Sequence, residues 1–256
     1  MSLNDGGLLK YLFSAEDTKF FIFYLIFTVI TIVSAYLLGS INSAIIISKT
    51  LYRDDIRKHG SGNAGLTNML RTYGKGAAGL TLLGDIAKTA VAILISALFF
   101  GFNYVGGVST GDGMCYIAGL FTVIGHIAPV YYKFKGGKGV LTTAVTALIL
   151  SPIPFLILFV LFIAIVAVSK YVSLGSVIGA IFYPVMLRGY FAVVFSNTDR
   201  SLPGLAALAT IIIAIIVVWC HRGNLQRISE KTERKISFKK KPEISSTAEE
   251  KNDAEK

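Results

Sequence analysis

The sequence predicts an all-α, polytopic integral membrane protein of seven transmembrane helices, its N-terminus outside and its C-terminus cytoplasmic. Three observations carry this reading. Of the 256 residues, 54% are hydrophobic and 16% charged, with a mean hydropathy of +0.65, too apolar for a soluble chain of this length. The 25 Lys and Arg, against 15 Asp and Glu, sit mainly in loops between long apolar runs. That placement favours membrane orientation and anionic lipid or phosphate ligands over nucleic acid. Third, the positive charges fall on one side of the membrane once the spans are laid out in order.

Residues 1–19 are polar and partly acidic, and the apolar run that follows is too long for a signal-peptide core, so no cleaved signal is expected. Phe20 to Leu38 is almost purely apolar, about 28 Å long as a helix. From Ile41 to Ile47 apolar residues continue with Asn42, Ser43 and Ser48 interleaved, which predicts that the first helix runs past the bilayer edge toward something polar. A basic loop, 49–76, leads to a second span near Gly79–Phe100 that carries Asp85 and Lys88 one turn apart. They read as an ion pair facing the bundle interior in preference to catalytic groups. A Gly-rich segment, 101–113, precedes the third span, Met114–Tyr132.

Val140 to Ser169 is interrupted by Ser151-Pro152-Ile153-Pro154, which is either a kink in one helix or a turn between two short ones. Charge decides for two. With seven spans the inner segments 49–76, 133–138, 169–171 and 220–241 hold six, three, one and eight Lys/Arg. The outer segments 1–19, 101–113, 151–154 and 188–203 hold two, none, none and two. Six spans would put the basic tail outside, against the positive-inside bias. The last spans lie near Val172–Leu187 and Gly204–Trp219. Several are shorter than a full crossing, so some helix ends, and the site with them, should sit below the inner surface. The expected organisation is an outer segment 1–19, a membrane domain 20–228 and a tail 229–256 that is basic, then acidic and largely disordered. Only Cys115 and Cys220 occur, with no ligand spacing among His and Cys, so neither a disulfide framework nor a metal cofactor is expected.

The polar clusters all fall on the inner side. Gly60-Ser61-Gly62-Asn63-Ala64-Gly65 opens into a short helix carrying Asn68 and Arg71, a pattern that fits an anion site as well as a flexible turn. In Lys135-Gly136-Gly137-Lys138-Gly139, glycine N–H groups and two lysines form a candidate phosphate cradle at a helix start, or simply a tight basic turn. Ser173 and Ser176 share a helix face, where capping or back-bonding to the helix is the ordinary use. His221 and Asn224 lie one turn apart where the last span ends; a histidine there is ordinarily interfacial, and its weight comes from facing the same side as the two cradles. His126 suits a structural role, and His59 solvation. Two glycine-rich anion cradles on one face suggest two phosphorylated ligands, or one ligand with two phosphates.

The stretches GSGNAGLTNMLRTYGKG at 60–76, GHIAPVYYKFKGGKGV at 125–140, KYVSLGS at 170–176 and HRGN at 221–224 resemble the motifs of the bacterial acyl-phosphate-dependent glycerol-3-phosphate acyltransferases, the PlsY family, in order and spacing from residue 20 to about 228. The resemblance implies a seven-helix enzyme of the bacterial plasma membrane, active on the cytoplasmic side and needing no cofactor. It would move a fatty acyl group from acyl phosphate to the 1-position of glycerol 3-phosphate, giving lysophosphatidic acid and phosphate, the first acylation of phospholipid synthesis. Its implied partners are acyl phosphate, glycerol 3-phosphate, membrane lipid and the upstream enzyme that forms acyl phosphate, with no nucleic acid. It assigns Ser61, Arg71, Lys138, Ser176, His221 and Asn224 to catalysis. To substrate binding it assigns Asn63, Asn68, Lys135, Gly136, Gly137 and Ser173. The departures are Gly223 where the family usually has Glu, Ala128 where an aromatic is usual, and Leu66 and Leu141 in place of small residues. No histidine opens the HxxxxD pattern of acyl-CoA-dependent acyltransferases.

On that resemblance, Lys138 with the Gly136 and Gly137 N–H groups would hold one phosphate, and Ser61 with Arg71 the other. Asn224 would fix the glycerol backbone or a developing oxyanion, and His221 would bond a phosphate or act as base. The competing class is a membrane transporter or binding protein for a phosphorylated small molecule, which would show polar residues on both sides of the membrane.

Overall fold

The computed structural model describes residues 7–12, 18–105, 108–109, 113–198 and 202–236. Eleven α-helices account for nearly all regular structure among them. A short α1 (Gly7–Leu12) packs on the end of α5. The first apolar run forms α2 (Thr18–Ser40), which breaks and continues as α3 (Ser43–Leu51). Asn42 caps α3 by accepting from Ile45 N–H at 3.1 Å, and its amide reaches Ala64 O at 3.3 Å. The expected polar continuation of the first helix therefore ends at the Gly60–Gly65 loop. After α4 (Leu66–Thr72) come α5 (Lys75–Phe100), a two-residue antiparallel pair β1 (Tyr104–Val105) and β2 (Val108–Ser109), and α6 (Met114–Ile127).

The prolines start a new helix. α7 (Val140–Leu150) stops at Ser151, and α8 (Pro152–Ser169) begins with Pro152 in its first turn, where a missing N–H costs no intrahelical bond. α9 (Val172–Val194), α10 (Gly204–Cys220) and α11 (Arg222–Ser229) complete the chain, the last two bent by 50° at His221. Each of the seven expected spans is helical. Five are long and apolar enough to cross a membrane, counting α2 with α3, and the bent α10–α11 pair makes six. α7, with 11 residues, rises only about 16 Å, roughly half a hydrocarbon layer.

Close backbone approach holds α2 to α6. A Cβ at Gly39 would lie 2.3 Å from Thr122 O, and one at Gly125 2.2 Å from Tyr36 O, so only glycine permits this contact. α6, α9 and α10 share the main apolar core around Tyr116, Leu187 and Ile213. α8 buries only Pro154 and Leu158, and exposes Val160 and Val168 among other apolar side chains, as a lipid-facing helix does.

Candidate active site

The first loop is built around Asn68. Its Oδ1 accepts from Ser61 N–H at 3.0 Å, and its Nδ2 donates to His59 O at 3.0 Å and Ile56 O at 3.3 Å. Gly60 turns there with φ of 57°, and a Cβ would lie 2.1 Å from Asn68 Oδ1. Asn68 thus shapes the loop that presents Ser61 and Asn63. Arg57 ties this loop to the second one, donating to Tyr132 O at 3.3 Å and Lys135 O at 3.2 Å while ion-paired with Asp55 at 2.7 Å. That guanidinium holds the Asp55 carboxyl at about 2, against an ordinary 3.8. His59, expected to be solvated, pairs with Asp54 instead.

The second loop corrects the cradle expected from its glycines. Gly136 N–H donates to Ile127 O at 3.1 Å and Gly137 N–H to His126 O at 3.0 Å, so neither is available to an anion. Both glycines serve close packing. A Cβ at Gly136 would lie 2.1 Å from His126 O, and one at Gly137 2.1 Å from His126 Nε2. Lys135 is exposed and absent from the cavity wall, whereas Lys138 lies on it. The charge expected from the loop is therefore delivered by Lys138 alone.

Beneath the loop lies a buried polar network. Asp85 and Lys88 pair at 2.8 Å, as the one-turn spacing suggested, and Ser43 Oγ donates to Asp85 at 3.0 Å. Lys88 Nζ also donates to His126 Nδ1 at 3.0 Å and to the carbonyls of Gly39 and Ile41, which the break after α2 leaves without helical partners. Because ammonium can only donate, His126 accepts through Nδ1 and carries its proton on Nε2, against Gly137. His126 is thus structural, and Asp85 and His126 form part of the cavity floor.

A cavity of about 660 Å³ joins these pieces. Ser61, Asn63, Asn68, Arg71, Lys138, Ser173, Ser176, His221 and Asn224 all line it; of the twelve predicted residues only Lys135, Gly136 and Gly137 do not. Lys138 Nζ donates to Asn224 Oδ1, linking the second loop to α11. His221 is 3% exposed, and its Nδ1 lies 2.7 Å from Val217 O; a carbonyl can only accept, so the Nδ1 proton points there and the Nε2 lone pair is left for the site. Ser176 Oγ donates back to Val172 O at 2.9 Å, the ordinary use of a helical serine, and offers its remaining lone pairs to the cavity.

Sequence reasoning missed Glu233. The tail to residue 236 folds over the cavity mouth, with Ile236 N–H donating to Lys170 O at 2.9 Å. Glu233 accepts from Ser173 Oγ at 2.9 Å, Asn224 Nδ2 at 2.6 Å and Arg227 Nε at 2.8 Å. Burial opposes its charge, but these three donors outweigh it and hold the carboxyl below the usual Glu range. Burial likewise pulls the Lys138 ammonium below its usual range, with Glu233 pushing the other way. Arg71 reaches the same strap, donating to Arg234 O at 3.3 Å. Nothing in the run of mixed charge around Glu233 marked it: Asn224 and Arg227 are nine and six residues away, but Ser173 is 60 away, and only the turn of the tail back over the cavity brings the three together.

The family model described as glycerol-3-phosphate acyltransferase matches residues 29–231. The chain belongs to the glycerol-3-phosphate acyltransferase family. Glycerol-3-phosphate acyltransferases of Mycoplasmopsis agalactiae and Clostridioides difficile are each 41% identical to it, covering 80% and 83% of this chain and 91% and 97% of their own. The crystal structure of PlsY (YgiH), an integral membrane glycerol 3-phosphate acyltransferase, in its glycerol 3-phosphate form, superposes with a TM-score of 0.68 at 31% identity, over 82% of this chain and 96% of that one. Its lysophosphatidic acid form gives a TM-score of 0.66 at 30% identity. All twelve predicted residues fall inside the span matched to the acyltransferase family, and Glu233 falls just beyond it.

Proposed function

We propose that the protein transfers a fatty acyl group from acyl phosphate to the 1-hydroxyl of glycerol 3-phosphate, releasing lysophosphatidic acid and inorganic phosphate. The observation that carries this is a single amphiphilic cavity. Cations, hydroxyls and one unprotonated imidazole nitrogen gather at its polar end, and an apolar arm leads away from them. Relatives whose structures are a glycerol 3-phosphate form and a lysophosphatidic acid form support the same reading.

Acyl phosphate is a mixed anhydride with a good leaving group, so the enzyme has mainly to align two anions and screen their repulsion. Lys138 and Arg71 supply the screening charge, with the Ser61 hydroxyl as a donor; Ser173, whose proton goes to Glu233, has only lone pairs left for the site. His221 Nε2 accepts the proton of the attacking hydroxyl as the acyl carbon–oxygen bond forms and the carbon–phosphate oxygen bond breaks. Asn224, held by Lys138, fixes the glycerol backbone. No covalent acyl-enzyme is required.

The same reading places seven helices in a bacterial plasma membrane, with the N-terminal segment 1–19 outside, the domain 20–228 in the bilayer and the tail 229–256 and active site cytoplasmic. The inner-side excess of Lys and Arg supports it. Acyl phosphate would come from an upstream acyl-phosphate-forming enzyme. Purified protein given palmitoyl phosphate and radiolabelled glycerol 3-phosphate should form labelled lipid and release phosphate in equal amounts. Uptake into proteoliposomes without lipid product would make it a carrier instead.

A further inference from the structure

The cavity changes character with depth. Beyond Lys138 and Asn224 its walls become apolar, with Ala147 from α7, Phe155 and Phe159 from α8, and Gly179 and Tyr183 from α9. On α9, Ser176, Gly179, Ala180 and Tyr183 recur every three or four residues and form one stripe, so Tyr183 lies about 10 Å along the helix from Ser176.

Two glycines one turn apart on α9 differ in what surrounds them. A Cβ at Gly175 would come within 2.8 Å of the Phe162 ring, where α8 and α9 touch. A Cβ at Gly179 would meet nothing within 4 Å. The arm is open where the helix bears no side chain, and Tyr183, 2% exposed, is the last residue of α9 on its wall. The Tyr183 hydroxyl lies 3.2 Å from Ser151 Oγ, at the turn between α7 and α8. Ser151 Oγ donates to Ala147 O at 3.1 Å, so Tyr183 is the donor of the pair, and the contact ties α9 to the α7–α8 turn across the floor of the arm.

We infer that Gly179 and Tyr183 set the acyl chain length this enzyme accepts, Gly179 by leaving the arm open and Tyr183, held by Ser151, by ending it. The inference rests on the acyltransferase reading above. Each methylene kept out of the arm loses its burial, roughly fourfold in kcat/KM, equivalent to about 0.8 kcal/mol. The rival path is sideways: Phe159 is 45% exposed, and a chain leaving into lipid between α8 and α9 would ignore Tyr183.

Full-length Gly179→Leu, Tyr183→Ala and wild-type proteins, assayed with saturated acyl phosphates from octanoyl to stearoyl, decide between them. Gly179→Leu has room for its side chain and replaces a helical glycine with a better helix former, so it tests the idea even if Tyr183→Ala fails to fold. Its ratio of kcat/KM for the longest over the shortest donor should fall at least about tenfold. Tyr183→Ala should raise that ratio. The KM for glycerol 3-phosphate should move less than the ratio does in both. Equal scaling of all donors, or an unmoved profile, overturns the inference in favour of the sideways path. If wild type transfers from no donor, the acyltransferase reading fails by itself. Calorimetric binding of lysophosphatidic acids of the same chain lengths to the same proteins then reads the ruler: the same shift supports it, and chain-independent affinity overturns it.

Discussion

Lys138 and Asn224 meet side chain to side chain, joining the loop after α6 to the first turn of α11. A donor-only ammonium on one side and the acceptor-only Glu233 carboxylate on the other leave the Asn224 amide one orientation. Lys138→Met should lower kcat/KM by roughly a hundredfold, and Asn224→Ala by a similar factor. Since each acts through the other, the double variant should lose far less than the product of the two. Steady-state kinetics on the four proteins measures the coupling.

His221→Ala should lower kcat by about a hundredfold or more and remove the acid limb of the kcat/KM profile. An unchanged limb would assign the base to a substrate phosphate instead.

The second loop separates its residues by position. Lys135→Ala should reduce kcat/KM at least about tenfold less than Lys138→Ala does, because the Lys135 side chain is exposed away from the cavity. Gly137→Ala should lower the unfolding temperature, with a cost of about 1–3 kcal/mol, since its methyl group would fall on the His126 ring. Thermal unfolding in detergent reads the second and turnover the first.

Asp85 and Lys88 are 1% and 6% exposed. Breaking the pair in Asp85→Ala should cost about 3–5 kcal/mol, by leaving a buried ammonium without its carboxylate. Replacing both, in Asp85→Leu with Lys88→Met, should cost less than the single change.

Arg57 depresses the Asp55 carboxyl to about 2, so the pair stabilises the fold above the ordinary value of 3.8, and that contribution is lost as pH falls through about 2. Both groups are partly exposed, which limits it to about 1–2 kcal/mol. Asp55→Asn should lose this amount at neutral pH and show a flatter acid decline than wild type.

Periodicity and charge made the helices readable, down to the break at Ser151-Pro152 and the Asp85–Lys88 pair, because each depends on residues near in sequence. Nine of the twelve candidate residues share one cavity, since helix spacing and the loop motifs carried them there. Two features were not readable. The glycines at 136 and 137 looked like free donors, and only the three-dimensional approach of His126 shows their N–H groups to be spent. Glu233 sits in a run of mixed charge just after α11, and its meeting with Ser173 of α9, 60 residues away, is one that no local pattern encodes.

The shortness of α7 has a mechanical meaning. Its 11 residues rise about 16 Å, roughly half a hydrocarbon layer, so on the proposed membrane placement the turn at Ser151 comes near the bilayer midplane and an acyl donor drawn into the arm stays within one monolayer. On the proposed reading the product is released into the same monolayer that supplied the donor, and moving lipid to the opposite one is left to other machinery.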